Sequence, residues 1–307
     1  MVAHPERKAQ RTLHRLAGAA RWPVEIVADL DALAAAVDPG SIAIVDAALA
    51  RSRPGIRAQP ARAWIAVPGD GSAAAEPDTV DALLEAGWTH VASHPMPILA
   101  EELLATLLKI IHGDAFDLEK YLAWGAEVSS YPVGNTRDRD TAVATLARDV
   151  VAAGLPERAG SLASVIADEL LTNALYAAPV DADGQRFRAR EARDQGRELV
   201  GRDAVTVRWA TDARYLAIEV RDHWGTLDDG AVAARLASGA KGAKKVSEGE
   251  GGMGLPLVYA CCTQLVIGSV PSVMTEVIAL LDVRYRPTEL ARAASFHMFR
   301  GAPGGIR

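Results

Sequence analysis

The sequence predicts an α/β protein of two domains. Two observations carry this expectation. Apolar runs typical of buried strands alternate with segments of helical periodicity over the first 112 residues. The chain of 307 residues is also about twice the usual length of one domain, roughly 150 residues. Half of the residues are apolar and 23% are charged, a balance typical of folded soluble proteins that excludes a largely disordered chain.

The first half of the chain shows this alternation in order. Helices are predicted over 7–20, 31–37, 79–86 and 98–112, and strands over 24–27, 41–49, 62–68 and 89–95. The run SIAIVDAAL (41–49) is apolar without interruption up to Asp46, which is typical of a strand in a parallel sheet covered on both faces. We therefore expect a doubly wound parallel sheet with helices on both sides.

Over roughly residues 1–112 this order resembles a response-regulator receiver domain. The run LLEAGWTHVASHP (83–95) is similar to the last helix, glycine and fifth strand of that family. The resemblance places Asp46 where receivers carry the phosphorylated aspartate. Asp46 is thus a candidate phosphoryl acceptor, and the alternative is an aspartate that only ends a strand.

The other groups of a receiver site differ in this sequence. His4-Pro5-Glu6 stands where receivers carry an acidic pair for Mg²⁺, Pro68 replaces a Thr or Ser, and His94 replaces a Lys. Phosphoryl transfer needs a metal and a cation to offset the charge on the transferring group. We therefore expect this domain to serve docking, dimerisation or regulation, so a homodimer is one possibility.

In the second half, SLASVIADELLTNALYAAP (161–179) has helical periodicity and carries Glu169 and Asn173. Residues four apart share one face of a helix, so the two side chains stack one turn apart. A carboxylate and a carboxamide so placed are able to coordinate Mg²⁺ and orient a water. The alternative is a solvated helix face, but the apolar neighbours of both residues favour a partner.

A predicted hairpin follows, with strands over 204–211 and 215–225. The second strand ends in Asp222, followed by Gly225. An aspartate at a strand end can accept a hydrogen bond from an exocyclic amine. The alternative is turn chemistry, since Asp and Gly both favour turns.

Four glycines lead directly into an apolar helix: Gly249, Gly251, Gly252 and Gly254. Glycines let backbone N–H groups approach phosphates, and a helix N-terminus adds partial positive charge. The segment lacks the context of a dinucleotide fingerprint, and the chain has no GxxxxGK[ST] loop. A flexible linker is the alternative.

Together these segments resemble the GHKL ATPases, which include histidine kinases, gyrase, Hsp90-type chaperones and anti-sigma serine kinases. The resemblance implies an α+β two-layer sandwich over residues 114–290 that binds ATP and Mg²⁺. By resemblance, Asn173 binds Mg²⁺, Glu169 acts as general base, Asp222 reads the adenine amine, and Thr275 in PSVMTEVIALLDV assists it. The glycines of GEGGMGL (249–255) contact the phosphates.

The first glycine box departs from the family pattern Asp-x-Gly-x-Gly. Here it reads Asp222-His223-Trp224-Gly225-Thr226, so Trp224 and Thr226 replace glycines and only Gly225 remains. This puts the tightness of adenine binding in doubt, and Trp224 is an alternative wall of the pocket. The segment 226–248 is similar to an ATP lid, in which Lys244 is a candidate phosphate ligand; a solvated basic loop is the alternative.

DELLTNAL (168–175) is closest to the anti-sigma serine kinases. This implies an ATP-binding regulator, with protein-kinase activity as one alternative, whose partner is a sigma factor or an antagonist protein. A non-catalytic scaffold and a phosphorelay protein using Asp46 are the alternatives. The net charge of −6 and the two adjacent cysteines indicate no nucleic-acid partner and a reducing cytoplasm, and the N-terminus and apolar runs indicate no membrane segment.

We expect domain limits at 1–113 and 114–290, with a tail over 291–307. The tail has no recognisable chemistry. Its Phe296 and Phe299 are expected to pack on the ATPase domain or on a partner.

Overall fold

The computed structural model describes residues 1–69, 73–189, 191, 196–212, 214–240, 254–284 and 293–302. Its helices are α1 (Arg7–Ala19), α2 (Leu30–Ala36), α3 (Ala47–Ser52), α4 (Pro77–Glu85), α5 (Ile98–His112), α6 (Asp138–Ala152), α7 (Glu157–Thr172), α8 (Asp229–Ala240) and α9 (Gly254–Cys261). Its strands are β1 (Val2–Ala3), β2 (Ile26–Val27), β3 (Ile42–Asp46), β4 (Ala63–Val67), β5 (His90–Val91), β6 (Val128–Val133), β7 (Val205–Thr211), β8 (Tyr215–Asp222), β9 (Gln264–Val270), β10 (Met274–Asp282) and β11 (Ser295–Arg300). The chain is α/β, as the sequence predicts.

The described residues form two units. The first draws on Met1–Asp114, Asp229–Lys241 and Ala291–Phe299, and the second on Ala115–Asp228, Gly242–Leu290 and Arg300–Arg307. The first unit therefore also includes α8 and most of β11. Both elements come later in the chain than the segment Ala115–Asp228, which belongs to the second unit.

The sheet of the first unit is parallel from β2 through β1, β3 and β4 to β5. Every residue of β3 is buried, because a parallel strand of an α/β unit is covered on both faces. β11 pairs antiparallel with β5 and places Phe296 opposite Val91. Phe296 is fully buried in this unit, so the tail supplies a strand rather than a loose extension.

Helix α8 packs against α4 of the first unit. Its buried residues recur at helical spacing, as expected for a helix with one packed face: Val232, Ala233, Leu236 and Ala237. The sequence predicts a lid over 226–248, and the first half of that segment is instead this packed helix.

The second unit contains an antiparallel sheet in the order β9-β10-β8-β7-β6. Helix α7 packs on this sheet at β7 and β8. One sheet face is apolar over most of its length and carries pairs such as Val220 and Val277. We call it the inner face. The other face is also covered, because the 3₁₀ turn Leu118–Tyr121 packs on β8 and buries Leu118 completely. β8 is therefore covered on both faces of the sheet.

Candidate functional site

Glu169 and Asn173 lie one turn apart where α7 passes into a π-helical turn, Asn173–Ala177. Both residues are half-buried. The end of α7 is anchored to α6, because the Arg139 guanidinium lies 3.1 Å from Asp168 Oδ1 and donates to Thr172 Oγ1 at 3.2 Å. A π-helical turn widens the spiral locally and is frequent at functional sites. The two predicted side chains thus sit on an anchored helix end.

Gly254, the first residue of α9, lies against both of these side chains. A Cβ atom added to Gly254 would collide with Glu169 Oε2 and lie 3.3 Å from Asn173 Nδ2. A side chain at this position would have to displace the Glu169 carboxylate, so glycine allows α9 to lie close to α7 without moving that group. The structure therefore brings together three predicted residues from two segments about 80 positions apart along the chain.

Asp222 and Thr275 are direct partners in the antiparallel pair of β8 and β10, so their side chains share the inner face. Asp222 is 7% exposed and Thr275 is 1% exposed. The backbone N–H of Trp224 donates to Asp222 Oδ1 at 2.8 Å. Burial nevertheless raises the pKa of Asp222 to about 6, because desolvation disfavours the charged form more than these hydrogen bonds favour it.

Gly225 holds the loop after β8 against the turn between β9 and β10. Its φ of +61° is left-handed, and a Cβ atom there would collide with Val270 O and lie 2.8 Å from the backbone nitrogens of Ser272 and Val273. The N–H of Ser272 donates to Gly225 O at 3.1 Å. Position 225 therefore requires glycine, because the backbone of the turn between β9 and β10 lies directly against it. This contact places the end of β8 beside the start of β10.

Trp224 is buried beside Asp222 and is packed from two directions. The Arg202 guanidinium lies 4.2 Å from its ring centroid, and the Phe187 ring lies 6.2 Å away with an edge-on orientation. Arg202 also donates to His223 O at 3.0 Å and to Ser272 O at 3.0 Å. Trp224, where the family resemblance predicts a glycine, is thus a fixed part of the loop wall.

Ser269 on β9 is a polar residue of this region that the sequence analysis missed. It is the register partner of Thr275 and is 1% exposed. Neither the Ser269 nor the Thr275 hydroxyl has a hydrogen-bond partner within the described part of the chain. A lone serine in the apolar strand QLVIGSV offers no sequence signal of its own, and only the strand register places it next to Thr275.

The chain matches no protein-family model, and a search of curated proteins found no match either. Within the residues that the structure describes, no group of three or more His, Cys, Asp and Glu side chains is arranged to hold a metal. Over those same residues, every helix is too short or too polar to cross a membrane.

Four predicted phosphate ligands lie outside the described residues: Lys244, Gly249, Gly251 and Gly252. Gly254 is therefore the described member of the predicted glycine box.

Asp46, the candidate phosphoryl acceptor, ends β3 in the first unit and is 4% exposed. Its Oδ1 accepts the backbone N–H of Leu49 at 2.9 Å and so caps α3, while its Oδ2 lies 3.5 Å from His4 Nε2. The same His4 nitrogen lies 2.7 Å from Gly69 O. The histidine that stands where receivers carry acidic residues thus occupies the space beside the carboxylate.

Proposed function

We propose that the second unit binds ATP with Mg²⁺ in the manner of a GHKL ATPase domain. The observation that carries the proposal is the position of Gly254 against Glu169 and Asn173. The turn Asn173–Ala177 also packs on β8, the strand that ends at Asp222, the register partner of Thr275. These residues come from four separate segments, and the family resemblance assigns each of them to the nucleotide. The first unit is proposed as a receiver-like regulatory module.

The residues fit such a ligand in two respects. Gly254 allows α9 to approach Asn173 closely, and the buried Thr275 hydroxyl has no partner among the described residues. The Asp222 carboxylate would accept a hydrogen bond from the amine of the base, and Thr275 would donate to the neighbouring ring nitrogen. Asn173 would supply an oxygen ligand of the kind that Mg²⁺ prefers. The metal would neutralise charge on the phosphates.

Phosphoryl transfer to a protein partner is the reaction that we propose for this site. In such a reaction the protein mainly positions the groups and offsets charge. Glu169 is suited to remove a proton from the attacking hydroxyl. By resemblance to the anti-sigma serine kinases, a sigma factor or an antagonist regulator is the proposed partner, and the cytoplasm the proposed location.

Calorimetric titration of the purified chain with Mg-ATP tests the proposal. We expect saturable binding that Asn173→Ala abolishes. The chain contains one other asparagine, Asn135, whose Oδ1 accepts the backbone N–H of Arg137 at 3.0 Å in a loop. Asn135→Ala is the matched control and should leave the affinity unchanged. Equal binding by wild type and Asn173→Ala would refute the site.

Trp224 favours one second candidate, a scaffold that keeps the fold without binding nucleotide. Its ring is buried where the family pattern has a glycine. The same titration separates the two functions, because a scaffold gives neither heat nor a thermal shift with ATP or ADP. A phosphorelay role for Asp46 is tested by labelling with a small phosphodonor, which Asp46→Ala should abolish.

A further inference from the structure

Three hydrogen-bonding side chains form a row across the inner face of the second unit's sheet. Asp222 on β8 is the register partner of Thr275 on β10, and Thr275 is in turn the register partner of Ser269 on β9. Directly opposed residues of antiparallel strands project from the same face. We call these three side chains the polar row. It interrupts an otherwise apolar face, since the next row consists of Val220, Val277 and Ile267.

The two hydroxyls of the polar row are unsatisfied. Ser269 and Thr275 are each 1% exposed, and their hydroxyl oxygens have no hydrogen-bond partner in the described part of the chain. A buried hydroxyl without a partner costs free energy, so native proteins rarely keep one without a reason.

A third buried hydroxyl, just before β9, shows what a structural role looks like in this sheet. Thr263 Oγ1 donates to Leu280 O at 2.6 Å and accepts the N–H of Asp282 at 2.9 Å. Thr263 is 6% exposed, so it is buried to nearly the same degree as Ser269. The fold satisfies this buried hydroxyl and leaves the two beside Asp222 unsatisfied. Thr106 of the first unit is also buried without a hydrogen-bond partner among the described residues, so it is the position beside Asp222 that distinguishes Ser269 and Thr275.

We propose that Ser269 is a specificity-determining residue of the nucleotide site, and that its hydroxyl and that of Thr275 bind the edge of the base whose amine is bound by Asp222. This inference rests on the proposed ATP site and adds a third strand to it. Neighbouring strands lie about 4.8 Å apart, so the polar row extends roughly 10 Å from Asp222 to Ser269. A planar purine is long enough to meet side chains from all three strands.

The order of the row matches the chemistry of such an edge. Asp222 as a carboxylate only accepts hydrogen bonds, whereas a hydroxyl donates one and accepts others. On an aminopurine the amino group donates a hydrogen bond and the ring nitrogens beside it accept them. This is the order in which the polar row offers an acceptor and then donors. A base with a carbonyl in place of the amine would set an oxygen against the Asp222 carboxylate and leave the row unpaired.

The test measures affinity and stability together in two matched variants. Ser269→Ala removes an unsatisfied hydroxyl, and Thr263→Val removes a satisfied one. We expect Ser269→Ala to weaken Mg-ATP binding about tenfold, the size of one lost hydrogen bond, with an unchanged or raised Tm without nucleotide. Thr263→Val should lower the Tm and leave the affinity unchanged. Thr275→Val combined with Ser269→Ala should lose less affinity than the two single losses predict, because both hydroxyls serve one edge of the base.

The outcomes separate this inference from the proposed function. If wild type binds Mg-ATP and Ser269→Ala binds equally well, the inference is wrong and the ATP site stands. A fall in Tm of Ser269→Ala without a change in affinity would assign Ser269 to a structural water and also overturn the inference. If wild type binds neither ATP nor ADP, the proposed function fails and the role of Ser269 fails with it.

Discussion

Asp222 and Thr275 face each other across β8 and β10, a buried carboxylate beside a buried hydroxyl with no partner among the described residues. Burial raises the pKa of Asp222 to about 6. Both features reduce the stability of the folded chain, and neither contributes to packing. Groups that are desolvated and incompletely paired in this way are concentrated at binding and active sites, where a ligand completes them.

Asp222→Asn is therefore expected to stabilise the protein and to abolish nucleotide binding. The asparagine Oδ1 can still accept the N–H of Trp224, but no charge is buried. We expect the free energy of unfolding to rise by roughly 3 kcal/mol at neutral pH, since each unit by which the pKa is raised corresponds to about 1.4 kcal/mol. Thermal denaturation and titration with Mg-ATP measure the two effects. A variant that is less stable, or that binds nucleotide normally, would contradict the interpretation.

The stabilisation should depend on pH in a defined direction. Asp222 has a pKa of about 6 in the folded chain, against an ordinary value of 3.8. Between these values the folded state binds more protons than the unfolded state, so the contribution of Asp222 to stability falls as the pH rises. The Tm difference between Asp222→Asn and wild type should be near zero at pH 4 and reach its full size above pH 6. Subtracting the two profiles cancels the other titrating groups.

Gly254→Ala tests the contact between α9 and the end of α7. The new Cβ atom would collide with Glu169 Oε2, so the side chains at the site must move. We expect lower stability and at least tenfold weaker Mg-ATP binding. The matched control is Gly18→Ala at an exposed position of α1, where an added Cβ atom has nothing within 4 Å. That change should stabilise the chain by about 0.5–1 kcal/mol and leave binding unchanged.

The elements that local pattern determines could be predicted from the sequence. The apolar run of β3, the periodic helix that carries Glu169 and Asn173, and the strand that ends at Asp222 all lie where periodicity places them. The adjacency of Gly254 and Asn173 could be expected only from the family resemblance, because no local rule relates residues so far apart.

Features set by long-range pairing escaped prediction. β11 joins β5 about 200 positions earlier in the chain, and its six residues carry no local mark of that partner. α8 reads as a flexible lid because it is rich in glycine and alanine, yet four buried small and apolar residues hold it on α4. Ser269 was missed for the same reason, since only the register of β9 and β10 sets it beside Thr275.

Arg221→Ala should be strongly destabilising. The Arg221 guanidinium lies 2.5 Å from Glu276 Oε1 and 3.4 Å from Glu219 Oε1. Both glutamates are fully buried on the outer face of the second unit's sheet, the face opposite the inner face. Burial and the Glu276 charge already raise the pKa of Glu219 to about 7. Arg221 and Arg208 are the two arginines that offset this charge, so losing Arg221 leaves the buried carboxylates with Arg208 alone of the two. We expect a loss of about 3–5 kcal/mol in urea denaturation.

The control for that prediction is Arg53→Ala, which removes an ion pair with Asp31 on the surface. Its partner is 87% exposed, so water replaces the lost contact and the change should cost less than about 1 kcal/mol. Similar losses in the two variants would show that the outer-face glutamates are better solvated than their burial indicates.

Glu102 fastens β11 to the first unit through two buried contacts. Its Oε1 lies 2.7 Å from His297 Nε2, and its Oε2 accepts a hydrogen bond from Ser295 Oγ at 3.0 Å. Glu102→Ala would leave His297 Nε2 buried without this partner, whereas the Ser295 hydroxyl would keep its contacts with Ser93 and His94, so we expect a cost of about 1–3 kcal/mol. Glu102→Gln keeps the shape and one acceptor oxygen, so it should cost less.

The effect of Glu102→Ala should concentrate on β11 before the chain unfolds as a whole. β11 is held by this cluster and by a short pairing with β5. The amide of Met298 donates to Thr89 O at 2.8 Å, and we expect this amide to lose protection from hydrogen exchange. Amides of β8 and β10 in the second unit should keep their protection relative to wild type. Equal loss of protection in both units would mean that Glu102 stabilises the whole chain rather than the attachment of its C-terminal strand.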